Sequence, residues 1–83
     1  MDAGALRQAL VAARVPDGVY EIAHAHEPVP PAPDFAFLRP ASEGHGWETG
    51  VYERGVHTVT KTFPTEDAAC HYFYKLLTGA TLA

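Results

Sequence analysis

WETGVYERGVHTVTKTF, residues 47–63, is the stretch that decides the fold. Its β-branched and aromatic residues, interrupted at Arg54-Gly55, read as two strands joined by a tight hairpin. Trp47 to Arg54 forms the first strand. Trp47, Thr49 and Val51 share one face, and Tyr52 lies on the other. Gly55 permits a positive φ and marks the turn. Val56 to Phe63 forms the second strand. Regular alternation puts Thr58, Thr60 and Thr62 on one face and Val59, Lys61 and Phe63 on the other.

Downstream, Pro64-Thr65-Glu66-Asp67 opens a helix. Thr65 is the N-cap, and two carboxylates sit in the first turn against the positive end of the dipole. Ala69, Tyr72, Phe73, Leu76 and Leu77 then form a stripe at helical spacing, Lys75 lies near the C-terminal end, and Gly79 is the stop. Upstream, Phe35-Ala36-Phe37-Leu38 reads as a strand with Phe35 and Phe37 pointing inward. Before it, Pro28-Val29-Pro30-Pro31-Ala32-Pro33 cannot form a helix or a central strand and favours an extended polyproline-II connection. It serves as a stiff spacer, the alternative being a ligand for a proline-recognising groove. Val19 to Ala23 is a further short strand. A first helix begins at the N-cap Asp2, buries Leu6 and Leu10, and is stopped by Val15-Pro16-Asp17-Gly18.

The order α-β-β-β-β-α predicts an α+β fold: one small domain over residues 1–83, with a four-stranded antiparallel sheet and both helices on one face. The predicted core is Leu6, Leu10, Tyr20, Ile22, Phe37, Trp47, Phe63, Tyr72, Phe73 and Leu76. A chain of 83 residues buries only about 60% of its unfolded surface, so a partner or a second copy would add to its stability.

Composition narrows the function. The net charge is −4, and the six basic residues are scattered, which argues against nucleic acid and against an anionic membrane surface. A single cysteine allows no intrachain disulfide. The start of the chain lacks the basic and apolar regions of a signal peptide, and no apolar run approaches the ~20 residues of a membrane span. The expected location is cytoplasmic.

Chemistry is sparse. Five histidines include the pair His24 and His26, which on an extended strand would face one side and suit a metal. A third ligand would have to come from His45, His57, Cys70 or His71, but no Cys-x-x-Cys or His-Glu-x-x-His pattern is present, so solvated loop histidines and no metal or other cofactor are expected. Cys70-His71 has the residue types of a nucleophile and base. Helical neighbours point about 100° apart, so a packed thiol is expected instead. No phosphate loop, nucleophile elbow or carboxylate pair appears, and the chain reads as a non-enzyme.

Three segments carry a resemblance: WETGVYERG at 47–55, FPTEDAACHYF at 63–73 with Leu76-Leu77, and LRQALVAARVPDGVY at 6–20. Together they resemble a small module of actinobacterial polymorphic-toxin systems, found alone or beside toxin domains of the tuberculosis-necrotizing-toxin type. The likeness covers most of the chain except the loop from His24 to Pro33. The family has larger residues where Thr49 and Val51 stand here. The resemblance implies an immunity-like or toxin-accessory binding role and no catalytic residue.

The expected function is therefore non-catalytic binding of another protein, a toxin domain in the first instance, through the sheet face that the helices leave open. Tyr52, Arg54, Thr58 and Thr60 are the expected partner-binding residues, since aromatic and Arg side chains contribute most to such interfaces. Other readings are a self-associating accessory domain that dimerises, a metal-binding regulator using His24 and His26, and a small enzyme.

Overall fold

The computed structural model describes residues 1–28, 33–42 and 45–81. The polyproline-II expectation for residues 29–32 and the turn expected at 43–44 lie outside them. Seven elements follow in order: α1 (Ala3–Ala12), a 3₁₀ turn (Asp17–Val19), β1 (Tyr20–Ile22), β2 (Asp34–Pro40), β3 (Trp47–Glu53), β4 (Val56–Phe63) and α2 (Glu66–Thr78). The fold is α+β with two helices and a four-stranded sheet ordered β1-β2-β3-β4.

Local caps close both helices, and α2 adds one to the start of α1. Asp2 accepts a hydrogen bond from the Ala5 N–H at 2.8 Å, as an N-cap does. The Glu66 carboxylate of α2 accepts from the Ala3 N–H at 2.7 Å, so a second acid caps the first turn of α1. At the other end Arg14 takes a left-handed φ of 62°. Its N–H donates to the Val11 carbonyl, and the Val15 N–H donates to the Leu10 carbonyl. This is a Schellman motif with arginine where glycine is usual, and Val15 packs on the core beside it. In α2, Thr65 accepts from the Ala68 N–H at 3.1 Å, and Gly79 ends the helix at φ 75°.

Two expectations about the layers are corrected. The sheet is mixed rather than antiparallel: β1 runs parallel to β2, while β2–β3 and β3–β4 are antiparallel. Parallel neighbours need a long connection, and residues 23–33 provide it. After Ile22 the chain turns back, and the backbone of His26 exchanges two 2.9 Å hydrogen bonds with that of Ile22. The helices are not simply laid side by side on one face. α2 packs on β2, β3 and β4, whereas α1 packs chiefly against α2. Leu6 and Leu10 of α1 join Tyr20, Ile22, Leu38, Ala69, Cys70 and Phe73 in one fully buried cluster.

The predicted core holds for Leu6, Leu10, Tyr20, Ile22, Phe37 and Phe73, all buried. Trp47, Phe63 and Tyr72 are half-buried. Leu76 is corrected: it is 50% exposed, because the apolar stripe of α2 is narrower than its sequence spacing suggests. Phe35 and Phe37 do point the same way, but away from the helices. Ala36 and Leu38 fill the helix side, in register with Tyr20 and Ile22.

Phe73 sits with its ring edge-on to Tyr20 at 6.4 Å in the centre of the cluster. Phe73→Ala is expected to cost roughly 3–5 kcal/mol, a large part of the stability of a domain this small. Leu76→Ala should stay within about 1 kcal/mol. Urea denaturation of both variants checks the contrast.

Candidate functional site

The uncovered face of the sheet is set by register. Phe35 stands opposite Tyr52, and Tyr52 opposite His57. Phe37 stands opposite Gly50, and Arg39 opposite Glu48. The alternation of β4 read alone keeps Thr58, Thr60 and Thr62 together on one face. The pairing of β3 with β4 instead shifts at Thr49/Gly50: Thr49 pairs with Lys61 and Gly50 with Val59, leaving Thr60 as the extra residue of a β-bulge. The two-residue hairpin pairs Tyr52 with His57, and the alternation reverses only beyond the bulge. Thr58, paired with Val51, lies on the helix side, while His57 and Val59 share the uncovered face with Tyr52 and Thr62. Placing Thr58 beside Tyr52 is therefore corrected, and His57 takes that place. Thr60 donates from Oγ1 to the Thr49 carbonyl at 3.4 Å, across the break in the ladder.

Gly50 is the reason the strands can shift. A Cβ there would lie 2.0 Å from the Thr58 carbonyl oxygen and 2.7 Å from Cζ of Phe37. The Phe37 ring lies over the glycine and is buried on a face that no helix covers. His57 meets it edge-on at 5.0 Å, and the Arg39 guanidinium sits 4.8 Å above it. Arg39 Nε also donates to Glu48 Oε1 at 2.6 Å, so Glu48, only 7% exposed, is a paired carboxylate. An isolated glycine inside a strand pattern signals a bulge or a close approach, and Gly50 was the sequence signal for this whole arrangement.

Phe35, Tyr52 and His57 extend the cluster. Phe35 and Tyr52 lie 4.6 Å apart at 30°, and Tyr52 and His57 lie 4.7 Å apart. With Glu21, Glu27 and flanking prolines they line an open concavity of about 630 Å³. Glu21 belongs to β1 and His57 to β4, yet Glu21 Oε1 lies 3.9 Å from His57 Nε2. The side chains of the two outer strands thus meet across the face. Arg54-Gly55 forms the two-residue hairpin at its end, with φ values of 52° and 83°. Both are positive, as a type I′ turn requires. Arg54 has no hydrogen bond or ion pair among the described residues.

The remaining candidates are placed elsewhere. His24 sits in a turn at φ 67° rather than on an extended strand, so the geometry that would have aligned it with His26 does not form. The His26 ring packs 4.6 Å from Tyr20, with Nε2 2.7 Å from the Asp17 carbonyl oxygen. Among the described residues no three His, Cys, Asp or Glu side chains converge as a metal site would need. Cys70 is fully buried, and His71 points to Asp67 on its own helix, with Nδ1 2.8 Å from the Asp67 carbonyl oxygen. Burial, with a smaller contribution from Glu66, pushes the Cys70 thiol from 9.0 up to about 11. No described helix is long and apolar enough to cross a membrane. Compared with family models, curated proteins and solved structures, the chain matches none.

Two outcomes follow from this geometry. Gly50→Ala sets a methyl group against backbone that cannot move aside independently, and it should cost about 3 kcal/mol or more and release the Phe37 ring. Thermal unfolding and the ring-proton shifts of Phe37 report it. For Cys70, the unfolded chain loses the thiol proton near pH 9 while the folded chain holds it to about 11. The unfolded state therefore binds fewer protons in that window, and stability falls as pH rises through it. Cys70→Ala should flatten this slope, and the native thiol should alkylate far more slowly at pH 8 than the unfolded one.

Proposed function

We propose that this chain is a non-catalytic protein-binding module, immunity-like or toxin-accessory, that engages its partner through the uncovered sheet face. The observation that carries the reading is the run of aromatic rings from Phe35 through Tyr52 to His57, left half-exposed or exposed with no helix over it. Such rings give large contact area at low entropic cost. The toxin connection rests on the resemblance of residues 6–20, 47–55 and 63–73 and on a net charge of −4, which suits a basic partner. Tyr52 and Arg54 are the proposed anchors. Thr60, exposed at the bulge, lies towards the edge of the surface, and Thr58 lies on the far side of the strand.

Arg54 adds an argument from strain. A left-handed arginine at a hairpin turn is less stable than asparagine or glycine by about 1 kcal/mol. Residues held in such conformations cluster at binding sites. Its side chain has work outside the fold.

Self-association is the second reading, and one feature favours it. β4 is an eight-residue edge strand, with Val56 60% and Val59 40% exposed, and its outer backbone groups are free to pair with another strand. The opposite edge, β1, is three residues long and partly occupied by His26.

Capture of neighbouring gene products by the purified chain tests the first reading. Arg54→Asn should raise the melting temperature by several degrees and weaken capture, and Tyr52→Ala should weaken capture at nearly unchanged stability. Capture unaffected by either change would move the interface away from this face. A monodisperse dimer that captures nothing would favour the second reading.

A further inference from the structure

We infer that the concavity on the uncovered face receives an arginine side chain of the partner, a refinement that rests on the protein-binding reading above. Its wall is aromatic. Phe35, Tyr52 and His57 present a continuous run of rings across β2, β3 and β4. Its rim is acidic. Glu21 and Glu27 line the same space, and no lysine or arginine does. Glu27 is exposed and has no hydrogen bond or ion pair among the described residues. Glu21 has His57 at 3.9 Å as its nearest cationic group, charged only when the imidazole is protonated. Ring faces with carboxylates at their edge are complementary to a flat cation, because the ring quadrupole attracts the charge and the carboxylates accept its N–H groups.

The same face already binds a guanidinium in this way. Arg39 lies 4.8 Å over the Phe37 ring and donates to Glu48 at 2.6 Å. The concavity offers the same pair of elements, ring and carboxylate, next to that site. The planar guanidinium fits such a slot better than an ammonium, since it stacks and hydrogen-bonds at once. A chain of net charge −4 steers a basic partner segment towards it.

The test uses the full chain labelled for NMR and titrated at fixed ionic strength. The probe is the capped peptide glycyl-arginyl-glycine, with its citrulline counterpart as a neutral isostere. Saturable shifts at Phe35, Tyr52, His57 and Glu21, and affinity about tenfold higher for arginine than for citrulline, are expected. The double variant Glu21→Gln, Glu27→Gln should remove that preference while leaving the ring-proton shifts of Phe37 in place. Equal binding of the two peptides, or a preference that survives the double variant, would overturn the inference. Partner capture by the double variant separates the two readings. Full capture would refute the arginine slot and leave the protein-binding face standing. Arginine binding in a chain that captures no protein would support the slot and count against the module.

Discussion

The close contact of two backbones and a ring at Gly50 is the constraint on which the rest of the sheet depends. With no Cβ at that position, β4 comes close enough for the Thr58 carbonyl to occupy the space a methyl group would take. The tip of the Phe37 ring can then come down onto the strand where a methyl group would otherwise stand. Two consequences follow together. The bulge at Thr60 brings Thr62 onto the uncovered face beyond it, and Phe37 becomes a buried floor beneath His57 and Arg39. A sheet with helices on only one side ordinarily leaves its other side to water. Here a small second cluster forms there from one ring, one glycine and one ion pair.

The helix-side core supports that face indirectly. Tyr20 is fully buried, and its hydroxyl accepts a hydrogen bond from Arg7 of α1, which also pairs with Asp17 at 3.0 Å. The Tyr20 ring packs against His26, and the His26 ring in turn meets the Asp17 carbonyl oxygen. Helix, 3₁₀ turn and the start of the long connection are tied at one residue. Glu27 and Pro28 come directly after His26, so the rim of the concavity is held by the same contacts that close the core. The second helix contributes at the far end, where Glu66 caps α1 and Phe73 fills the space beside Tyr20.

Local signals were legible because they act over a few residues. Asp2, Thr65 and Gly79 close helices by chemistry that needs no tertiary partner, and Val56–Phe63 is the strand that its β-branched run implies. The parallel pairing of β1 was not legible, since strand direction depends on where the segment after Ile22 returns. The expectation that Phe35 and Phe37 face the helices failed for a related reason. Alternation shows that two residues share a side, but it does not say which side the helices take. Tyr52 and Arg54 could be found from the hairpin pattern alone. His57 follows from the same pattern, since a two-residue turn at Arg54-Gly55 pairs it with Tyr52; what the pattern does not show is the bulge that sets Thr62 and Thr58 on opposite faces. Glu21 and Glu27 were invisible as site residues, being far in sequence from the rings they approach.

Among the described residues, three that are not glycine adopt left-handed backbone: Arg14, His24 and Arg54. Each conformation is offset by local backbone bonds, at the end of α1, in the turn that joins Ile22 to His26, and in the β3–β4 hairpin. Glycine would make those same bonds with less strain, so backbone geometry does not explain the side chains. Their positions separate them. Arg14 lies at the end of α1, away from the open face. His24 stands in the turn that leads to Glu27 and Pro28, and Arg54 adjoins Gly55, which lines the concavity with them. Arg54 therefore borders the concavity through its neighbour, whereas His24 lies further back along the chain. Strain of this kind persists only where the surrounding structure holds it, and the pairing of β3 with β4 does so at Arg54.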